Sequence, residues 1–170
     1  MMSMGLAFDP QAVPASADAE RARVGMERWL TAIEVAGDAP AVARARAFAC
    51  DPDAIKVLQA LFGNSSFLTF VAEREPLLME AILRGGADAA VDAVMADVAV
   101  ATRDAIAGTT PVALLRLAKR RLALATAVAD VCNHWCLDRV TNVLSDFADA
   151  AVHCAATYLL AQAAEKGILD

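Results

Sequence analysis

The sequence predicts an all-α fold, a single bundle of about six to eight helices, and three observations carry that expectation. Of the 170 residues, 41 are alanine, the strongest helix former and a residue depleted in strands. Aromatic residues make up 5% of the chain, so the aromatic and β-branched runs of a sandwich or barrel are scarce. Helix start and stop signals recur at short intervals, and no repeat of 20–50 residues interrupts them. The length fits one domain with a sizeable core.

The elements follow in order. Residues 1–15 carry Gly5, Asp9, Pro10 and Pro14 without a periodic apolar face, and are expected to be a loose lead-in to an all-helical domain over 16–170. Ser16 or Asp18 can cap a first helix through Met26, Trp29, Leu30 and Ile33, with Gly37 as its stop. Pro40 opens the second helix. Asp51-Pro52 is an N-cap followed by proline at the first helical position, and Gly63-Asn64 ends that third helix. A segment from Ser65 to about Arg74 follows. Glu75-Pro76 then starts a helix that reaches Leu83 and stops at Gly85-Gly86. A longer helix spans roughly Ala87 to Ala107, closed by Gly108. Thr110-Pro111 gives the clearest start signal, and the helix after it is expected to reach His134 or beyond. The last helix follows Asp138.

Composition narrows the function classes. With 15 Lys and Arg against 21 Asp and Glu, the net charge is -6 and the sequence pI is near 4.9, so a nucleic-acid backbone is not an expected partner. Mean hydropathy is +0.46, but the run free of charged side chains from Ala150 to Ala164 is too short and too alanine-rich to span a bilayer. The N-terminus has neither a basic n-region nor an apolar h-region, which makes the cytoplasm the default location. Four cysteines without paired loop spacing read as small apolar core residues of a reduced chain.

Winding the long helices at 100° per residue sorts their faces. After Pro111, Leu114, Leu117, Ala118, Leu122, Ala125, Val128, Ala129 and Cys132 make one apolar stripe, and Arg116, Lys119 and Arg120 lie opposite. Arg121 lands inside the apolar stripe, where an unpaired guanidinium is costly, so it must snorkel or meet an acceptor. In the last helix, Val140, Val143, Leu144, Phe147, Ala151, Cys154 and Tyr158 form the apolar stripe. Asn142, Ser145, Asp146, Asp149 and His153 form a narrow polar one, read either as a solvated face or as a docking surface.

No catalytic constellation emerges. Cys132, His134, Cys136, His153 and Cys154 are zinc-ligand types, but they lack tight C-x-x-C pairs on turns, and Cys132 and Cys154 sit on core stripes. Neither histidine has a nucleophile in a recognised motif, and no glycine-rich phosphate cradle is present. Asp146 and Asp149 share a helix face, whereas two-carboxylate metal sites usually draw on adjacent strands. No catalytic, cofactor or metal residue is therefore expected.

Three motifs carry a resemblance. They are Gly63-Asn64-Ser65-x-x-Leu68 followed by the Pro76-led helix, Leu115-Arg116-x-x-Lys119-Arg120-Arg121 with Asp130, and Val140-Thr141-x-x-Leu144-Ser145-x-x-Ala148-Asp149-Ala150. Together, over about residues 50–165, they resemble the N-terminal helical region of the bacterial bifunctional glutamine-synthetase adenylyltransferase/adenylyl-removing enzyme family, a branch of the nucleotidyltransferase superfamily. The resemblance implies a helical region preceding a nucleotidyltransferase domain with G-x-x-K-L-G, E-L-N and S-D-x-D signatures. None of these occurs here, so the chain is expected to be a leading, non-catalytic part, truncated before that domain.

The resemblance further implies phosphorolytic removal of AMP from glutamine synthetase and its ATP-dependent attachment, with magnesium and ATP as the full-length cofactors. It implies glutamine synthetase and the PII signalling protein as partners. Arg116, Lys119, Arg120, Arg121, Ser145, Asp146 and Asp149 are then structural or docking candidates, with the basic face and the polar stripe directed at the adjoining domain or at each other. The alternative is a stand-alone helical interaction module without chemistry of its own.

Overall fold

Local signals decide most of the helix boundaries in the computed structural model, which describes residues 6–168. Asp18 accepts from Arg21 N at 2.9 Å and caps α1 (Ala19–Ala36), which Gly37 ends. Asp38 caps α2 (Ala39–Phe48), and Asp51 accepts from Asp53 N and Ala54 N at the start of α3 (Pro52–Asn64). Ser65 Oγ accepts from Leu68 N at 3.2 Å to open α4 (Ser66–Arg74), whose axis bends by 112° from that of α3. The remaining helices are α5 (Pro76–Gly85), α6 (Asp88–Ile106), α7 (Val112–Val131) and α8 (Leu137–Glu165). Eight helices and no strand appear among the described residues, as an all-α bundle requires.

Three boundaries depart from expectation, the smallest at α8, which starts at Leu137 with Cys136 as its N-cap and so takes in Asp138. At the start of α7, Pro111 itself takes the N-cap position, with φ -85° and ψ 0°, and its carbonyl accepts from Leu115 N. The end of α7 falls at Val131 instead of His134 or beyond. Asn133 adopts φ 50°, its N–H bonds back to Asp130 O, and His134 N bonds to Ala129 O at 2.8 Å. That paired closure is a Schellman motif with asparagine in the left-handed position that glycine more often fills.

The lead-in also differs over residues 6–15; residues 1–5 lie outside the described residues. It forms no helix but is held in place instead of loose. Phe8 is buried and packs edge-on against His134, Ala7 N donates to Leu83 O, and Asp9 organises a turn through Gln11 N.

One hydrophobic core runs through the bundle. In its first half α1 lies against α3 and α4, flanked by α2 and α5. Trp29 and Ile33 of α1 meet Phe62, Leu58 and Leu61 of α3 in a fully buried layer, where the Trp29 Nε1–H donates to Pro76 O at 3.1 Å. A large apolar side chain buried this way contributes about 1.5–3 kcal/mol. In the second half α6 and α8 run parallel with α7 against them. Their starts are joined by Arg139 to Asp88, and Gly108 lies beside Gln162 at their far ends. The junction of α4 and α5 touches α7 and welds the halves together.

Candidate functional site

Among the described residues, the buried carboxylate with the most side-chain hydrogen bonds is Glu75, at the junction of α4 and α5. It occupies the N-cap position of α5, but its carboxylate makes no cap bond. Instead it accepts from both arginines of the α7 motif: Arg120 Nε at 2.8 Å and Arg120 Nη2 on Oε1, and Arg121 Nε at 3.0 Å on Oε2. Arg121 Nη1 also lies 3.8 Å from Asp97 of α6. The Glu75 side chain is 7% exposed and that of Arg121 is 36% exposed. The carboxylate is thus desolvated, while each guanidinium reaches water along one edge.

Arg121 therefore meets an acceptor, as its place on the apolar stripe demanded. Arg120 corrects the expectation: it leaves the outer basic face with Arg116 and Lys119 and folds inward to Glu75. Its Cα lies on the outer face, but the long side chain reaches round the helix to a carboxylate that would otherwise be buried without a full set of donors. Arg116 and Lys119 remain exposed.

A second buried carboxylate, Glu80, follows one turn and a half further along α5. Arg44 Nε donates to it at 2.6 Å from α2, and Arg84 approaches at 3.4 Å from its own helix. Hydrogen bonding to Glu80 raises the Arg44 pKa. Neither carboxylate stood out in the sequence, because the donors that hydrogen-bond to it, Arg120 and Arg121 for Glu75 and Arg44 for Glu80, are distant in the chain.

The motif Gly63-Asn64-Ser65 has a concrete task as well. A Cβ at Gly63 would drive into Ser16 Oγ and would meet Asp18 O at 2.9 Å. Asn64 Oδ1 accepts from Ala17 N at 2.8 Å, and its Nδ2 donates to Ala15 O at 3.0 Å. The asparagine thus replaces a strand neighbour for two backbone groups of the lead-in, while Ser65 caps the next helix.

On α8 the polar stripe is where the helical wheel put it: Asn142, Ser145, Asp146, Asp149 and His153 are all exposed. It does not face the basic residues of α7; among the described residues no ion pair joins it to Arg116 or Lys119. The clean division into one apolar and one polar face fails. Val143 and Cys154 are buried, but Leu144 is exposed, and Leu137, Val152 and Leu159 add a second apolar stripe facing solvent.

The donor set does not fit a divalent metal. Both buried carboxylates are occupied by arginines, and no group of three or more His, Cys, Asp or Glu converges among the described residues. Cys132 is buried among apolar side chains at the end of α7, and burial pushes its thiol up to about 12. An open groove of about 590 Å³ along α1 and the α4–α5 junction is lined by paired charges such as Arg28 and Glu73, without a nucleophile and base in reach of each other. No single helix is long and apolar enough to cross a membrane.

Fold and site together define an all-helical module whose buried carboxylates clamp helices together through arginines. The family model described as glutamate-ammonia ligase adenylyltransferase matches residues 55–169, and the chain belongs to that family. It is similar to the bifunctional glutamine synthetase adenylyltransferase/adenylyl-removing enzyme of Bradyrhizobium diazoefficiens, with 32% identity over 143 residues, 84% of this chain and 14% of that protein. The Rhizobium meliloti enzyme of the same name is 37% identical over 128 residues, 72% of this chain and 13% of its own length. The Caulobacter vibrioides enzyme is 32% identical over 116 residues, 66% of this chain and 11% of its own. The chain thus spans about one seventh of the relatives' length or less. No solved structure matches it.

Proposed function

We propose that this chain is the non-catalytic helical part of an enzyme that adenylylates and deadenylylates glutamine synthetase. The observation that carries the reading is the family match over residues 55–169, in which two of the matched motifs hold the helices together through Asn64 and through Arg120 and Arg121 on Glu75. Its role is scaffolding, because its buried carboxylates, Glu75 and Glu80, are consumed in internal pairs with arginines. The chemistry, with magnesium and ATP, belongs to polypeptide beyond the matched region. Glutamine synthetase is the macromolecular substrate of the assembled enzyme, PII its regulator and the cytoplasm its location; the four free cysteines accord with a reducing compartment.

A chimera tests the reading. The segment of the Rhizobium meliloti enzyme that matches this chain is replaced by the aligned residues of this chain, and phosphate-dependent release of ADP from adenylylated glutamine synthetase is measured. Activity should persist in the chimera and be absent from the isolated chain. A folded chimera without activity, or an isolated chain that turns over, overturns the proposal.

A further inference from the structure

The helical chain crosses once between the two halves of the bundle, at the turn from α5 to α6. Gly86 stands in that turn with φ 84° and ψ 175°, a backbone conformation that residues other than glycine avoid. A Cβ at Gly85 would meet nothing within 4 Å, and one at Gly86 would meet, among the described residues, only the Cβ of Ala7, at 3.8 Å. The turn thus has the backbone of a hinge, and what lies against it is the lead-in.

The fastenings of this strap divide between the halves. Asn64 of α3 holds Ala15 and Ala17, and Leu83 of α5 accepts from Ala7 N at 2.9 Å, all within the first half. Phe8 reaches across. It is buried, and its ring stands edge-on to that of His134 in the link from α7 to α8, with 5.4 Å between centroids. His134 is placed in turn by its N–H on Ala129 O, and its Nε2 lies 3.9 Å from Asp88 at the start of α6. Among the described residues, the bond from Ala7 is the one hydrogen bond from residues 6–14 to a helix, and Leu6, Ala7 and Val13 are only partly buried beside Phe8. A segment held by one fully buried ring and one backbone bond opens more readily than the helices it crosses.

We propose that the lead-in is a latch across the Gly85-Gly86 hinge. With Phe8 docked, the two halves are held at one angle. With Phe8 withdrawn, the strap swings out on its Asn64 tether, and α6, α7 and α8 turn as one body against the first half. The Glu75 clamp lies at the opposite end of α5 from the hinge and stays closed as the second fixed point. Two fixed points leave a body free to turn about the line between them, and a third tie stops it. Docking of the strap and the angle between the halves are therefore linked: whatever binds the withdrawn strap frees the hinge, and whatever holds the hinge open loosens the strap. The inference rests on the fold and stands apart from the proposed enzymatic context.

Double electron–electron resonance on the full chain tests it. Nitroxides are placed on the exposed Cys50, in the first half, and on Glu165→Cys at the far end of α8, with Cys136→Ser and the buried Cys132 and Cys154 left in place. The 29 residues of α8 make a lever about 43 Å long at 1.5 Å per residue, which magnifies any turn. The intact strap should give one narrow distance distribution. Phe8→Ala should roughly double its width or add a second peak, with the far-UV circular-dichroism spectrum unchanged, and Phe8→Leu, which refills the socket, should restore it. Native-state exchange reads the same opening without a substitution: the Ala7 amide should exchange about tenfold faster than the α3 core amides, or more. A distribution that stays narrow in Phe8→Ala while Ala7 exchanges fast would mean a loose strap on fixed halves, and overturns the proposal. So does a loss of helix in Phe8→Ala, or an Ala7 amide that exchanges only through global unfolding.

Discussion

Arg121 Nε stands 3.0 Å from Glu75 Oε2, a contact across 46 positions that fastens α7 to the α4–α5 junction. Removing the carboxylate charge is the more damaging change, because it leaves two guanidiniums converging on a neutral amide. Glu75→Gln is expected to cost about 2 kcal/mol, below the 3–5 of a fully buried pair because both arginines retain a solvated edge. Urea unfolding measures it, and a loss under about 0.5 kcal/mol would show that the clamp contributes nothing.

The two arginines share one acceptor, so their losses should not add. With either one gone, the other still satisfies Glu75; with both gone, a buried carboxylate is stranded. Arg120→Ala and Arg121→Ala should each cost about 1 kcal/mol, and the double change should exceed their sum by at least about 1 kcal/mol. Strict additivity in the double-mutant cycle would mean that the two side chains act independently.

The lead-in depends on Gly63 and Asn64 in separable ways. Gly63→Ala forces the backbone near Ser16 and Asp18 apart and is expected to destabilise the fold by about 1–3 kcal/mol. Asn64→Ala removes the acceptor of Ala17 N–H without adding bulk. Amide exchange at Ala17 should then accelerate at least tenfold while the α3 core amides keep their protection. Unchanged exchange at Ala17 would show that the asparagine does not hold the strap.

The sequence made the helix boundaries readable where the determinant is local. Asp18, Asp51 and Ser65 each bond an amide two or three residues on, within the reach of a sequence pattern. The need for an Arg121 acceptor was equally legible from the helical wheel. Its identity was not, because Glu75 sits on another element and only packing brings the two together. Arg120 was misplaced for a related reason: a wheel positions a Cα, not the end of a side chain several bonds long. The outer stripe of α8 escaped because a wheel sorted into two faces merges the exposed Leu144 with the buried Val143, 100° away, into one. Asn133 ended α7 early by taking a backbone conformation that most residues avoid, a stop less conspicuous than glycine.

The four thiols should divide into two classes. Cys50 and Cys136 are exposed, whereas Cys132 and Cys154 are buried, so native protein should react with two equivalents of Ellman's reagent quickly and with two more only after unfolding. Cys132 adds a pH signature. Burial lifts its thiol from 9.0 to about 12, so between those values the folded chain keeps a proton that the unfolded chain releases. Folding then becomes less favourable as pH rises, by at most about 1.4 kcal/mol per pH unit for this group. Unfolding at pH 8 and pH 10 should show wild type losing about 1 kcal/mol more than Cys132→Ala, whose side chain has no proton to lose. If the two proteins lose stability in parallel, the Cys132 thiol is not held away from water and the end of α7 is more open than its packing shows.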